Sequence, residues 1–233
     1  MIKTKYSFRG SEAGSDESGK GDFFGGIHVS LAFLNTESYL KLKNSKLLAK
    51  ITDSKLLSDA TVYYLAPKLK ALLPNEIFAV SFKIKEYNKL YARLKNVNVL
   101  LSYAHNTLWK QLNESLRARE EPLPNKTVID QFCDKERYYK YLDSIGVQGE
   151  ELTHFETKAE LNHLSCAIAS IISRFNFLEE ISELSRKYHH NLPLGASNLV
   201  IKAFRELRLK KETLKAEEVC KTHFKTYEKA LAL

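Results

Sequence analysis

A stretch of glycines and carboxylates near the start of the chain has the composition of a site that handles phosphate and metal. It reads Gly14-Ser-Asp-Glu-Ser-Gly-Lys-Gly-Asp22, and its adjacent carboxylates Asp16 and Glu17 lie among small residues. Neighbouring ionised carboxylates repel each other, and a divalent cation relieves that repulsion. Mg²⁺ and Mn²⁺ prefer oxygen ligands, and glycines let a nucleic-acid backbone approach closely. The segment therefore favours a metal site over a solvated turn.

The same segment also has the spacing of a phosphate-binding P-loop, G-x-x-x-x-G-K, from Gly14 to Lys20. Gly21 stands where a P-loop has the Ser or Thr that binds Mg²⁺, and a predicted strand follows where a helix is needed. Asp16 and Glu17 inside the loop would also repel phosphate. These departures exclude the P-loop as the preferred interpretation.

Two more carboxylates lie in suitable contexts further along the chain. Asp130 ends a short apolar run, and Glu160 lies near the start of a predicted helix, where the dipole favours an acid by about 0.3–1 kcal/mol. Each residue alone is also typical of a turn or a helix terminus. With Asp16 and Glu17 they make four carboxylates in three segments, a set that can hold two metal ions ~3.5–4 Å apart. Because adjacent side chains on a strand point to opposite faces, we expect the strand to end or kink at Asp16 and Glu17.

The elements that must position these carboxylates follow from the hydrophobic periodicity. Alternating or continuous apolar residues predict strands at 27–33, 78–84 and 127–129. Apolar residues spaced by three and four predict helices around 62–72, 99–108 and 161–178. Ser58 is the expected N-cap of the first of these helices. The chain from about Lys158 onward is predicted to be helical, so the fold class is mixed α/β with a sheet flanked by helices.

Composition narrows the class of protein. The 233 residues carry 36 Lys+Arg against 28 Asp+Glu, a formal net charge of +8, which fits a polyanionic partner. No apolar run approaches the ~18 residues of a membrane span. Three cysteines form no paired framework, which predicts a reducing, cytoplasmic location. His105 and His163 have no zinc-site spacing and are expected to be structural or surface groups.

Several motifs occur together in the order found in one family. They are Gly14–Gly25, Asp53-Ser54-Lys55, Glu86–Tyr91, Val128–Phe132, Thr157–Glu160 and Ala169–Arg174. The combination resembles the bacterial type 2 ribonucleases H, and their ribonuclease HIII branch in particular. Lys20 and Glu160 favour that branch, because ribonuclease HII usually has Arg and Asp at these positions.

The resemblance implies a fold, an activity and a set of site residues. It implies a ribonuclease H-like sheet flanked by helices and an endoribonuclease that hydrolyses the RNA strand of RNA/DNA hybrids, leaving 5′-phosphate and 3′-hydroxyl ends. Asp16, Glu17, Asp130 and Glu160 would be the catalytic residues and would hold two Mg²⁺ or Mn²⁺ ions. The residues expected to contact the nucleic acid are Ser18, Gly19, Lys20, Gly21, Ser54, Lys55 and Arg174. The partner would be the hybrid, with no membrane, and the protein a monomer.

Two alternative functions and one question of domain organisation stay open from the sequence. The chain could instead incise at single ribonucleotides in duplex DNA, as ribonuclease HII does, or bind hybrids without cleaving them. We expect a tail at residues 1–13 and one catalytic domain at residues 14–233 with a basic helical C-terminal region. Ribonuclease HIII usually carries an N-terminal domain resembling a TATA-binding protein, and 13 residues are too few for it. That domain would be either naturally absent or removed.

Overall fold

Five strands form one sheet in the computed structural model, which describes residues 6, 8–51 and 57–232. They are β1 Glu12–Ser18, β2 Ile27–Leu34, β3 Ile77–Phe82, β4 Lys126–Asp130 and β5 His154–Glu156. Their order across the sheet is β3-β2-β1-β4-β5. Strand β1 is parallel to β4, and β4 is parallel to β5. The three predicted strands are therefore present.

Helices make up most of the remaining described chain. They are α1 Thr36–Asn44, α2 Asp59–Leu72, α3 Ile84–Leu94, α4 Val97–Ala118, α5 Lys135–Asp143, α6 Leu164–Tyr188, α7 Asn198–Lys210 and α8 Lys225–Leu231. Ser58 accepts a hydrogen bond from the Thr61 amide and caps α2, as predicted. From residue 159 to 231 the chain runs through helices and their connections, which agrees with the predicted helical C-terminal third. No helix within the described ranges is long and apolar enough to cross a membrane.

The register of the sheet brings two of the predicted carboxylates to one edge. Ser15 of β1 pairs with Ile129 of β4 in parallel register. The next residues along the two strands are Asp16 and Asp130, and the carboxyl ends of parallel strands lie at the same edge. Val128 and Ile129 lie on opposite faces of β4 and are both fully buried, so this strand is covered on both faces.

Two predicted boundaries differ from the structure. The apolar alternation in the sequence runs on to Ile84, but β3 ends at Phe82 and Ile84 begins α3. Its backbone amide donates to Glu180 at 2.7 Å, so a carboxylate satisfies the first turn of the helix. Glu160 was expected near the start of a long helix, but it lies in a short 3₁₀ turn, Ala159–Leu161, ahead of α6. Lys158 enters that turn with a left-handed φ of 58°, so the helical ladder cannot extend back through it.

The chain divides into two compact units. The first lies within Met1–Glu17, Val29–Val80 and Asn96–Phe175, and the second comprises Ser18–His28, Ser81–Lys95 and Asn176–Leu233. All four predicted catalytic carboxylates belong to the first unit. Strand β1 starts at Glu12, two residues before the predicted domain boundary. The single catalytic domain at residues 14–233 stays a prediction.

Candidate active site

Asp16 and Asp130 are held by backbone groups at the shared edge of β1 and β4. Asp16 is 5% exposed; its Oδ1 accepts from the Glu17 amide at 2.7 Å, and Ser170 of α6 forms a side-chain hydrogen bond with its carboxylate. Asp130 Oδ1 accepts from the Ala159 amide at 3.0 Å. This last bond ties the end of β4 to the turn that carries Glu160.

Glu160 joins these two carboxylates in an acidic cluster in which Asp16 and Glu160 are buried and Asp130 is partly exposed. It is 1% exposed, and its backbone carbonyl accepts from the Tyr6 hydroxyl at 3.0 Å, so a residue of the predicted tail anchors the turn. Burial raises the pKa of the neighbouring Cys166 thiol well above its usual range, and the charges of Asp16, Asp130 and Glu160 raise it further. Cys166 therefore remains a neutral thiol beside the cluster.

The cluster is electrostatically unfavourable when no cation is bound. Burial raises the pKa of Asp16 well above its usual range, and the negative charges of Asp130 and Glu17 raise it further. The hydrogen bonds from Ser170 and the Glu17 amide act in the opposite direction. Charge repulsion in a water-poor site is the condition that a divalent cation relieves.

Glu17 lies on the other face of β1, against the expectation that the strand would end or kink. Strand β1 continues through Ser18, so Ser15 and Glu17 share one face and Asp16 lies on the opposite one. The Glu17 carboxylate contacts His105 Nε2 at 3.3 Å, and Ser15 Oγ lies 2.9 Å from His105 Nδ1. The sequence motif therefore places Asp16 with Asp130 and Glu160, whereas Glu17 adjoins them from the other side of the strand.

His105 is a site residue that the sequence interpretation missed. It is fully buried on α4 and stacks on Phe132 at a centroid distance of 5.2 Å. Because a carboxylate only accepts hydrogen bonds, the ring donates from Nε2 to Glu17, and in the neutral ring Nδ1 accepts from Ser15. One feature of the sequence could have identified it. His105 is a titratable residue on the same face of the predicted helix as the apolar residues Leu101, Leu108 and Leu112.

Replacing His105 with Phe should weaken metal-dependent activity, because the ring stacking is kept while both nitrogen contacts to β1 are lost. Groups that orient ligands in this way typically change metal affinity or activity by about 10–100-fold. The measurement is the Mn²⁺ concentration that gives half-maximal cleavage of a hybrid, which should rise. His105→Gln, whose side-chain amide can still donate an N–H to Glu17, should lie between wild type and His105→Phe. An unchanged metal requirement in both variants would refute the role.

The donor set suits hard divalent cations, but it is not a preformed coordination sphere. Among the residues that the structure describes, no group of three or more His, Cys, Asp or Glu side chains stands together as a site ready to hold a metal ion. The fit rests on donor chemistry and proximity: the carboxylates of Asp16, Asp130 and Glu17 lie close enough for their charges to perturb each other. The carboxylates fit Mg²⁺ or Mn²⁺, which prefer oxygen ligands, and Cys166 beside them is a neutral thiol and therefore a poor ligand for a soft metal.

The glycine loop that follows β1 belongs to the second unit. Gly19 has a φ of 91°, and a Cβ there would lie 2.4 Å from the Gly26 carbonyl oxygen, so only glycine is tolerated. Lys20 and Gly21 form the turn at its tip, where Gly21 is exposed, Lys20 is half-buried and the preceding Ser18 is half-buried too. This geometry leaves the backbone of the tip accessible, as binding to a nucleic acid requires.

The remaining predicted nucleic-acid contacts have different outcomes. Ser54 and Lys55 lie outside the described residues. Arg174 on α6 pairs with Asp59 at 3.1 Å, and its side chain is 29% exposed. Its expected contact with phosphate stays a prediction, and it would require exchange of the Asp59 partner for a phosphate oxygen.

His163 is a structural group, as the sequence interpretation proposed. Its Nε2 lies 2.9 Å from a Glu156 oxygen, and its Nδ1 lies 3.6 Å from Glu12. Glu12 in turn accepts from the backbone and hydroxyl of Ser165, each at 3.0 Å. These contacts link the start of β1, the end of β5 and the start of α6 around the acidic cluster.

The free energy of unfolding should be larger at pH 6 than at pH 8. The Glu12 carboxylate, followed by Glu156, raises the pKa of His163 above its usual 6.5. The stabilisation that protonated His163 contributes is therefore complete below about pH 6.5, and it is lost as the pH rises through the raised pKa of His163. Urea unfolding at the two pH values measures this, with His163→Gln as the variant in which the difference should shrink. An equal difference in both proteins would contradict the assignment.

Comparison with known proteins identifies the family. A family model described as Ribonuclease HII matches residues 13–227. The chain belongs to the ribonuclease HII family. Within that family it is 34% identical over 223 residues to Ribonuclease HIII of Bacillus cereus strain ATCC 14579, covering 96% of this chain and 69% of the relative. Ribonuclease HIII of Bacillus anthracis strain A0248 is 33% identical over the same length and coverage.

Solved structures of ribonucleases H have the same fold. Bst-RNase HIII in complex with Mn²⁺ has a TM-score of 0.83 at 31% identity and covers 96% of this chain and 70% of that one. Aquifex aeolicus RNase H3 has a TM-score of 0.62 at 30% identity, with coverages of 90% and 70%. The likeness to ribonuclease H2 from Pyrococcus horikoshii OT3, at 21% identity, concerns the fold alone. The predicted ribonuclease H-like fold is confirmed.

Proposed function

We propose that this member of the ribonuclease HII family is an endoribonuclease that hydrolyses the RNA strand of RNA/DNA hybrids with Mg²⁺ or Mn²⁺ as cofactor. The observation that carries the proposal is the acidic cluster of Asp16, Asp130 and Glu160 at one sheet edge, in a chain matched over residues 13–227 by the family model. A related ribonuclease HIII crystallised with Mn²⁺ supports the cofactor.

Asp16, Glu17, Asp130 and Glu160 would hold the ions in this mechanism. When bound, the ions would supply Lewis acidity toward the phosphodiester and acidify water, as in other two-metal hydrolases. The protein's share is positioning: the Ala159 amide orients Asp130, Ser170 and the Glu17 amide orient Asp16, and His105 orients Glu17. Hydrolysis joins the oxygen of water to phosphorus and breaks the bond to the 3′-oxygen, which takes a proton. The products are a 5′-phosphate and a 3′-hydroxyl.

The glycine loop after β1 is the segment to which we assign binding of the substrate. Glu17 is followed directly along the chain by Ser18 and then by the tip, Gly19-Lys20-Gly21. The residues assigned to the nucleic-acid backbone are therefore next in sequence to two of the carboxylates. We assign to this tip the contacts to ribose 2′-hydroxyls, the groups that distinguish RNA from DNA. Ser54, Lys55 and Arg174 would contact phosphates, which contribute affinity and salt dependence without reading sequence.

The test is cleavage of three substrates: a continuous RNA/DNA hybrid, a DNA duplex with one ribonucleotide, and double-stranded RNA, each with Mg²⁺, with Mn²⁺ and with chelator. Metal-dependent cleavage that is fastest on the continuous hybrid would support the proposal. The match to the ribonuclease HII model keeps incision at single ribonucleotides as the second candidate, and fastest cleavage of that duplex would favour it. Binding without cleavage of any substrate would refute the enzyme and favour a binding module.

We also infer a cytoplasmic location and a monomeric state. All three cysteines are free thiols, which supports a reducing compartment. Size-exclusion chromatography with light scattering should give the mass of one chain, and a concentration-independent dimer would refute the monomer.

A further inference from the structure

Lys221 in the second unit is a lysine with no exposed surface. Lysine is almost never fully buried unless its charge is compensated, so its position calls for a physical reason. The rings of Tyr87 and Phe224 lie 5.2 and 5.5 Å from its nitrogen. Its ammonium group is thus enclosed by aromatic side chains and is directed at the backbone of one loop.

That loop is the glycine segment that follows β1. Lys221 Nζ donates to the carbonyl oxygens of Gly19 at 2.9 Å, Asp22 at 2.6 Å and Gly25 at 2.7 Å. An ammonium has three N–H donors, so these three acceptors satisfy it completely. A side chain without N–H donors would leave the inward-facing carbonyls of Asp22 and Gly25 without this donor, which costs more than a surface hydrogen bond is worth.

Other hydrogen bonds hold the loop at Asp22 and beyond it. The Lys221 amide donates to the Phe23 carbonyl at 2.9 Å, and the Gly25 amide donates to the Val219 carbonyl at 3.2 Å. These bonds hold residues 23–25, beyond the tip. At the tip, the Gly19 carbonyl accepts from the Asp22 amide at a longer 3.2 Å. The Gly195 amide donates to Asp22 Oδ1 at 2.6 Å, so the Asp22 end of the turn has a second anchor. The ammonium is the interior group that holds the Gly19 carbonyl and, with Gly195, the Asp22 end.

The orientation of the Gly19 carbonyl determines the direction of the next amide. In a trans peptide the carbonyl and the following N–H point to opposite sides. Because the Gly19 carbonyl points toward Lys221, the Lys20 N–H points away from it, toward the outer side of the tip. The proposed function assigns the contacts to ribose to this tip, and an outward-pointing N–H is a group that can make them.

We propose that Lys221 is a positioning residue for substrate binding: its ammonium fixes the Gly19–Gly25 loop in the shape in which the tip binds the RNA strand of a hybrid. This inference rests on the proposed function, since it assigns the loop to the substrate. Lys221 contacts no reacting atom, so its removal changes hybrid affinity and leaves the chemical step intact. Burial lowers the pKa of Lys221 to about 8, opposed by the charges of Asp22 and Glu180, so the ammonium is the main form at pH 7.

The test is Lys221→Met, which keeps an unbranched apolar chain between the rings and removes all three donors. The KM for a continuous hybrid should rise at least about tenfold, with kcat within about threefold of wild type. Without substrate, amide hydrogen exchange should accelerate in the peptide covering residues 19–26. A folded variant with wild-type KM and wild-type exchange would overturn the proposal, and so would a fall in kcat at constant KM.

Two further variants separate positioning from general loosening of the unit. Tyr87→Phe keeps the ring beside Lys221 and loses only the hydroxyl that lies 3.4 Å from His223, so its KM should be that of wild type. An equal rise in KM for this control would overturn the proposal. Lys221→Gln supplies two N–H donors and should give an intermediate KM. If Lys221→Met does not fold, Lys221→Gln decides, and a wild-type KM there refutes the role.

Failure of this inference is distinguishable from failure of the proposed function. If the wild type cleaves no hybrid, the enzyme assignment fails. The dissociation constants of wild type and Lys221→Met for the same hybrid, measured by fluorescence anisotropy without divalent metal, then still test Lys221. Equal constants for the two folded proteins would overturn its positioning role.

Discussion

Replacing Asp16 with Asn should lower kcat on an RNA/DNA hybrid by about a thousandfold, equivalent to ~4 kcal/mol of transition-state stabilisation. The amide has the shape of the carboxylate and can still accept from the Glu17 amide, but it lacks the negative charge that binds a divalent cation. Binding of the hybrid should persist, because the lost charge would repel phosphate.

The stability of this variant provides an independent check. Burial and the charges of Asp130 and Glu17 raise the pKa of Asp16, so the ionised carboxylate is unfavourable in the metal-free fold. Asn removes that repulsion, and the melting temperature without metal should be equal to or above that of wild type. Asp134→Asn is the matched control, since Asp134 caps α5 by accepting from Arg137 at 2.8 Å and Asn caps equally well. Its kcat should be unchanged, and a wild-type kcat in Asp16→Asn would refute the site.

Replacing Gly14 with Ala should destabilise the protein by about 3 kcal/mol, because the new methyl group has no space. A Cβ at Gly14 would lie 2.5 Å from Cys166 Sγ, 2.6 Å from the Cys166 amide nitrogen and 2.6 Å from Ser165 Oγ. The amide nitrogen belongs to the start of α6, so β1 and α6 would have to separate. Asp16 lies two residues further along β1 and is bonded to Ser170 of the same helix, so activity should fall as well.

Thermal unfolding measures this effect, with an expected fall in melting temperature of about 10 °C. Gly21→Ala is the control for stability, since a Cβ there meets nothing within 4 Å. Its melting temperature should stay close to that of wild type. A wild-type melting temperature in Gly14→Ala would show that α6 does not pack on β1 as closely as the structure describes.

The sequence predicts the elements better than it predicts how they present their side chains. Periodicity identified β2, β4 and α2 with its Ser58 cap, because local burial and capping alone determine them. Periodicity also extended β3 to Ile84. The first buried residue of α3 continues the apolar alternation of the strand, so the pattern does not show where β3 ends. It also placed Glu160 on a helix, because the break at Asn162 and His163 between the 3₁₀ turn and α6 has no distinctive sequence signal.

Among the site residues, the acidic ones were predictable from the sequence and the buried basic ones were not. Asp16, Asp130 and Glu160 could be chosen from residue type and context, and the structure gathers them. The expected kink at Asp16 and Glu17 was wrong, because β1 continues as a regular strand to Ser18. The burial of His105 and Lys221 was not predictable, since it depends on contacts with residues 88 and up to 202 positions away in the chain.

The chemistry of the product ends tests the central claim most directly. Chelator-treated protein is incubated with a continuous RNA/DNA hybrid, with and without added Mg²⁺ or Mn²⁺, and the RNA fragments are mapped. Attack by water predicts cleavage only with metal, giving 5′-phosphate and 3′-hydroxyl ends. Fragments with 2′,3′-cyclic phosphate and 5′-hydroxyl ends, or equal cleavage in the presence of chelator, would contradict a metal-dependent hydrolase built on these carboxylates.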